Sequence, residues 1–352
     1  MPPLIDTVER LAAALPLLAP QPRIPIDTEA DSLHCYYEKL CLVQISVPGH
    51  DLLIDPLAGF SLAPLFDAFN GKELIIHGAD YDLRLLRRVG YAGPSSVFDT
   101  MIAARLCGIE EFSLAALIKR YFDVELAKGS QKANWARRPL PPQMAEYAVK
   151  DTHYLLEIAS ILEGDLRELG RMEWFRQCCE KAVAGSMIVK ERDPGQIWRI
   201  TGCSDLRGRS AAILRALWHW REREAQAVDR PSFHILHGEQ MIDAAVRLDR
   251  GDSIELSHLN GQRRRRFFDA AQEGMDLPES EWPKILRKPR LRPTKDEEAR
   301  FKALKTKRDE AAAAFHLDPS LIAPKSMLEG LAANPEEVVP KMMPWQRETL
   351  GV

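Results

Sequence analysis

No run of 18 apolar residues occurs anywhere in the chain, so the sequence offers no candidate for a membrane-spanning helix. No two cysteines stand in C-x-x-C spacing. The six, Cys35, Cys41, Cys107, Cys178, Cys179 and Cys203, are scattered or adjacent, which excludes the usual spacing of a zinc or dithiol redox site. Most lie among apolar neighbours, as core thiols do, and a reduced, cytoplasmic protein is the simplest expectation. A strong net charge is also missing: the formal value is −3 over 352 residues. The apolar stretch Leu11–Pro20 has no basic flank, since Asp6 and Glu9 precede it, and it contains prolines. An amphipathic helix ending near Pro16 fits it better than a secretory leader. No short-period repeat is visible.

What is present is ordinary globular material, 45% hydrophobic and 28% charged, enough for a core in each of two or three domains. The charge is unevenly placed. Residues 1–180 carry 18 Lys+Arg against 25 Asp+Glu, and residues 181–352 carry 30 against 26. An acidic front half does not suit a polyanion partner unless bound cations offset it, whereas a mildly basic back half can help to hold phosphate.

Strand-like segments crowd the first hundred residues: Arg23–Thr28, Leu40–Val47 and Asp51–Asp55, spaced as an antiparallel meander, then Glu73–His77 and a short Val97–Phe98. Apolar periodicity predicts helices over Leu62–Phe69, Tyr81–Val89 and Met101–Cys107, with Asp99 or Thr100 as the N-cap of the last. This alternation indicates an α/β sheet with packed helices. From Ser113 to about Gly170 the pattern is helical, interrupted by Pro139, Pro141 and Pro142, with a new helix near Gln143. After about Lys190 strands vanish. A helix is expected over Asp205–Glu224, a boundary at Pro278–Pro293 and another helix over Lys295–Phe315.

Four carboxylates and a tyrosine stand out. Asp27 and Glu29 are two apart on a predicted strand and so point to one side. Asp82 follows the strand ELIIH near a helix start, with Asp80 as its rival. Tyr147 and Asp151 are four apart on a helix and share a face. Each has a bland alternative: D-x-E is common by chance, Asp82 can complement a helix dipole, Tyr147 can be a satisfied core residue and Asp151 a surface charge. Together they suit phosphodiester hydrolysis with two hard, oxygen-loving cations, Mg²⁺ or Mn²⁺, about 3.5–4 Å apart.

The ordered motifs resemble the DEDD exonucleases of the tyrosine subclass, and most of all the ribonuclease D-like 3′–5′ exonucleases. They are DTEA (Asp27–Ala30), YYEKLCLVQIS from Tyr36, HGADYDLRLL (His77–Leu86) and YAVKDTHYLL (Tyr147–Leu156). FDT at Phe98–Thr100 and WARRPLP at Trp135–Pro141 fit as well. The likeness spans roughly residues 20–180. It implies a ribonuclease H-like mixed five-stranded sheet, with Asp27, Glu29, Asp82 and Asp151 holding two divalent ions, Asp27 between them. It also implies that Tyr147 orients the attacking water and helps to deprotonate it, and that nucleoside 5′-monophosphates leave one at a time. The pattern departs at Ala30-Asp31-Ser32, where relatives carry an aromatic and then a basic residue. Position relative to His77 favours Asp82 over Asp80.

Lys128, Gln131, Lys132, Trp135, Arg137 and Arg138 form a polar-basic stretch expected to touch phosphates or stack on a base; the bland reading is a solvated loop with Trp135 as a core plug. His77 reads as a structural hydrogen-bonder, His153 points away from Asp151, and His234 and His237 lack the spacing of a zinc site. Trp218–Leu236 with Met241 resembles an HRDC domain, a helical nucleic-acid-binding module, and Leu304–Ala332 looks like a divergent second copy. Arg263–Arg266 are candidate phosphate contacts, or a solvated helix face. The expected organisation is an exonuclease domain over 1–185, an HRDC-like domain over 190–278 and a second helical segment over 294–350. The expected activity is exoribonucleolytic trimming of RNA 3′ ends such as those of tRNA precursors. A DNA 3′–5′ exonuclease acting on single strands and a non-catalytic nucleic-acid adaptor are the rivals.

Overall fold

The computed structural model describes residues 3–126, 131–188, 193–284 and 292–352. Six strands form one mixed sheet: β1 (Leu4–Ile5), β2 (Arg23–Ala30), β3 (Leu40–Val47), β4 (His50–Ile54), β5 (Glu73–Ile76) and β6 (Ser96–Asp99), in the order β1-β4-β3-β2-β5-β6. The meander is as expected: β2, β3 and β4 are antiparallel neighbours, and β5 and β6 extend the sheet in parallel. The expected five strands become six because Leu4 and Ile5 pair in parallel with Leu53 and Ile54. A two-residue strand has no periodicity to read.

Helices cover both faces. One face carries α1 (Val8–Leu18), α2 (Ala63–Ala68) and α3 (Asp80–Arg88), packed on Ile24, Ile26, Val43, Ile45, Leu74 and Ile76. Contrary to expectation, α1 continues through Pro16. Proline forfeits its own N–H bond and its ring crowds the carbonyl one turn back. Buried Leu18 holds that last turn in the core, so the loss is outweighed. The other face carries α4 (Thr100–Leu106), α5 (Leu114–Phe122), α6 (Pro142–His153), α7 (Leu155–Glu168) and α8 (Met172–Met187). All eight residues of β3 are buried, which is why this strand reads as a nearly continuous apolar run with Gln44 and Ser46 as its polar exceptions.

The chain divides into two compact units. Residues 31–39 and 193–284 form the helical one, with α9 (Gly208–Ala227), α10 (Ser232–Ile235), α11 (Gly238–Arg250) and α12 (Gly261–Met275). Its core is Leu214, Leu217, Trp220, Met241 and Phe267. At the crossing of α9 and α12 a Cβ on Gly274 would lie 2.6 Å from the Ile213 Cα, so only glycine lets these helices approach so closely. Asp31, from the divergent Ala30-Asp31-Ser32 segment, is buried and accepts the Lys39 N–H at 2.8 Å. It closes a loop whose Tyr36 donates its hydroxyl to Glu222 at 3.1 Å and its N–H to Asp229 at 3.0 Å. The departure from the family pattern is thus the nucleus of a loop that belongs to the helical unit.

The last helices, α13 (Lys295–Phe315), α14 (Pro319–Ile322), α15 (Lys325–Ala333), α16 (Pro335–Val338) and α17 (Pro344–Leu350), belong to the sheet-containing unit. Helix α13 has the expected bounds. Ala312, Ile322, Leu328 and Trp345 share one core with α4, α7 and α8. Trp345 stacks on Trp174 at 4.8 Å between ring centroids, and Arg171 donates to the carbonyls of Leu106 and Phe315 at 2.6 and 2.7 Å. Of the expected Pro278–Pro293 boundary, residues 285–291 lie outside the described residues, and Glu279–Glu281 form a single 3-10 turn.

Candidate metal centre

Strand β2 alternates. Ile24 and Ile26 enter the core beneath α1–α3, so Asp27 and Glu29 emerge on the opposite face, where α6 lies. Helix α6 brings Tyr147 and Asp151 to the same place. Carboxylate oxygens of Asp27, Glu29 and Asp151 come within 4.8 Å of one another. Among the described residues this is the group of acidic, His or Cys side chains that converges closely enough to share a cation. His234 and His237 form no such group.

Asp82 is set back from the three. Its Oδ1 accepts the Thr28 N–H at 3.0 Å and the Thr28 hydroxyl at 2.5 Å, so the residue between the two β2 ligands holds the fourth carboxylate. Asp82 is 5% exposed, whereas Asp80 is turned to solvent and paired with Arg84 at 2.5 Å. Asp99 aims the helix that carries Asp82. It accepts the N–H groups of Gly78 and Ala79 at 3.0 and 2.9 Å, and also caps α4 through Met101 and Ile102. His77 lies beside it, bonded to the Thr100 hydroxyl at 2.9 Å, the structural role expected of it.

Helix α6 is anchored at both ends. Near its C-terminus Thr152 meets Ser46 of β3 at 2.7 Å. Ahead of its start, Arg138 grips Asp55 with two bonds of 2.6 Å and donates to the carbonyls of Trp135, Arg137 and Cys41 at 2.7–2.9 Å. All five guanidinium N–H groups are thereby used. Trp135 is wholly buried, its ring 6.1 Å from that of Tyr147. These two residues, expected at the substrate, are instead the footing of α6: the bland reading holds for Trp135, and Arg138 has no donor left for a phosphate. Gln131 is exposed and lies near enough to the Tyr147 hydroxyl to favour its ionised form. Arg137 is exposed, and Lys128 lies outside the described residues.

The electrostatics are those of an unneutralised anion cluster. Burial, then the charges of Asp82, Asp151 and Glu29, pushes the Asp27 carboxyl well above its ordinary range. Burial and the same neighbours raise Glu29 to about 9. Asp151 rises to about 7 through burial, partly offset by a hydrogen bond from Tyr147. Asp82 also rises to about 7 through burial, against its bonds from Thr28. The Tyr147 hydroxyl is pushed up by burial and by Asp151 and Glu29. Among the described residues no lysine or arginine stands among the causes of these shifts, so the described part of the fold leaves this negative charge unneutralised. An all-oxygen donor set of this kind fits hard divalent cations. The amide of Gln44, wholly buried directly across from Asp27 and without a partner at either end, fits a site completed by something that enters it.

In the helical unit the run Arg263–Arg266 is divided. Arg263 and Arg266 both close on Glu224, at 3.0 and 2.5 Å, leaving Arg264 and Arg265 exposed. Only the latter pair retains the expected freedom to meet a phosphate.

Sequence reasoning missed Thr28, Gln44 and Asp55. Thr28 and Gln44 sit inside the quoted motifs, and for Gln44 its polarity within an otherwise apolar strand was the available signal. Asp55 had none, because its partner Arg138 is 83 residues away.

Comparison with known proteins agrees with this geometry. Residues 3–167 match the family model described as 3′-5′ exonuclease, and residues 210–266 match that of the HRDC domain. Ribonuclease D of Jannaschia sp. is 33% identical over 301 residues, covering 81% of this chain and 77% of that protein. A solved structure of Escherichia coli RNase D, described as an exoribonuclease involved in structured RNA processing, superposes with a TM-score of 0.73. It is 25% identical and covers 100% of this chain and 96% of its own. A protein of Bifidobacterium adolescentis shares the fold, with a TM-score of 0.84 at 23% identity over 99% and 95% of the two chains.

Proposed function

Since the chain belongs to the ribonuclease D family and is a 3′–5′ exoribonuclease, we propose that it removes nucleoside 5′-monophosphates from the 3′ ends of structured RNAs, tRNA precursors among them, with two divalent cations. The observation that carries the metal dependence is the convergence of Asp27, Glu29 and Asp151 within 4.8 Å, with no basic partner among the described residues. The RNA substrate class is carried by the likeness to Escherichia coli RNase D. Asp27, Glu29, Asp82 and Asp151 would hold the ions, Mg²⁺ or Mn²⁺, which would polarise the scissile phosphate and ease ionisation of water. Six free thiols suit a reducing, cytoplasmic setting.

In this reading water attacks the last phosphodiester phosphorus, the P–O3′ bond breaks, and the shortened chain keeps a 3′-hydroxyl. Tyr147 orients that water. Its hydroxyl stands beside Asp151 and Glu29, where it can hold that water and help to deprotonate it. The footing of Trp135 and Arg138 fixes α6, and Thr28 fixes Asp82. The HRDC-like unit would add affinity through a tethered second contact with the RNA, and we assign 294–350 as a divergent helical module built onto the nuclease unit.

The test uses 5′-labelled tRNA precursor, single-stranded RNA and single-stranded DNA, with Mg²⁺, Mn²⁺ or chelator, on wild type and Asp27→Asn. A ladder shortening from the 3′ end, preferring RNA and lost with chelator or in the variant, is expected. Activity that survives chelation would overturn the metal reading, and an equal rate on DNA would overturn the RNA preference.

A further inference from the structure

Gln44 occupies the middle of β3, the fully buried central strand, and is itself 0% exposed. Its register partner on β2 is Asp27. Directly opposed residues of an antiparallel pair lie on the same face, about 4.5–5.5 Å apart at Cβ. That face is the one covered by α6, because Leu42, two residues away, packs with Ala145 and Ala148 of α6, and Ser46, two residues the other way, meets Thr152. The amide therefore lies in the floor of the carboxylate cluster, between Asp27 and the helix that carries Asp151.

Neither Nε2 nor Oε1 of Gln44 has a hydrogen-bond partner. An unpaired amide in a dry interior is costly, and an apolar side chain of similar size would fill the same space without that cost. A purely structural reading leaves this glutamine unexplained. The Asp27 carboxylate opposite it is the acceptor that the strand register sets beside this idle donor.

We propose that Gln44 is a positioning residue for the metal centre, donating through Nε2 to the Asp27 carboxylate when the cations are bound, with Oε1 as acceptor for water that hydrates them. The inference rests on the metal reading above. Partners behind the ligands commonly govern metal affinity by about 10–100-fold.

The experiment measures Mn²⁺ binding to the full chain by titration calorimetry, together with the melting temperature of the metal-free protein, for wild type and Gln44→Met. The proposal expects Mn²⁺ affinity to fall about tenfold or more, with the metal-free melting temperature unchanged or raised. Undiminished affinity, or a clear drop in metal-free stability, would overturn it. A second measurement needs only a wild-type fold. With glutamine-selective ¹⁵N labelling, the Gln44 side-chain amide signal, identified by its loss in Gln44→Asn, is expected to move on Mg²⁺ addition in wild type and to stay still in Asp27→Asn. A signal indifferent to Mg²⁺ sinks the proposal alone, whereas failure of wild type to bind Mn²⁺ at all takes the metal reading down with it.

Discussion

Glu224 in the helical unit and Glu29 in the sheet unit are both carboxylates drawn out of bulk water, yet they are treated in opposite ways. Glu224 is gripped by Arg266 and Arg263, and its pKa falls below the ordinary value. Glu29 shares its surroundings with Asp27 and Asp151, and its pKa climbs to about 9. The same contrast recurs within the sheet unit, where Asp55 is held by Arg138 and Glu73 and Glu163 both close on Arg23. A carboxylate that serves the fold is neutralised by the fold. One left to repel its neighbours is waiting for a cation from outside, and the local cost in stability is the price of a site that binds it.

Removing a member of the repelling cluster should therefore do the reverse of removing a paired one. The largest effect is expected for Asp27→Asn: cleavage slowed on the order of 10³–10⁴-fold, while the metal-free protein melts at the same temperature or higher. Loss of activity together with a lowered metal-free melting temperature would place Asp27 among the structural carboxylates instead.

Next is pH. Glu29, Asp82 and Asp151 have folded-state pKa values raised to about 9, 7 and 7, above those of an unfolded chain, so the native state binds more protons between about pH 4 and 9. Stability of the metal-free protein must then fall as pH rises through that window, and saturating Mg²⁺ should flatten the fall. Melting curves at pH 5, 7 and 9, with and without Mg²⁺, check both halves; a metal-free protein that gains stability toward pH 9 contradicts the sign.

Tyr147→Phe should slow cleavage about a hundredfold and leave Mn²⁺ affinity intact, because the hydroxyl orients water rather than holding an ion. Calorimetry beside single-turnover rates separates the two. Asp55→Asn leaves the Arg138 guanidinium half-buried without its counter-ion and should destabilise by about 2–3 kcal/mol, seen as a lower denaturation midpoint. The smallest effect is expected for Glu224→Gln, a loss of about 1 kcal/mol, since Arg266 is half-exposed. Trimming of a short single-stranded RNA should be unchanged, and a large loss there would tie Glu224 to catalysis.

Much of this was readable before the structure. Alternation and turn residues located β2 to β6, periodicity placed α13 at its observed bounds, and three motifs named the acidic set. Where reading failed, the missing information was non-local. Arg138 sits in a basic stretch and reads as a phosphate ligand until Asp55, far off in sequence, is found to consume it. Arg263 and Arg266 belong to a run of four arginines, and only the fold of α9 onto α12 pairs them with Glu224. For Trp135 the sequence left open a substrate contact or a core plug, and only the packing beside Tyr147 selects the plug.

The sequence by itself determined which atoms are available: an all-oxygen donor set on a strand with period 2 and on a helix with i, i+4 spacing, both local geometries of the backbone. Only the tertiary structure decided which charges are left over. Pairing depends on which side chains meet across the core, and desolvation depends on what covers them. Those two quantities separate Glu29 from Glu224, Asp82 from Asp80, and an idle Gln44 from an ordinary strand residue.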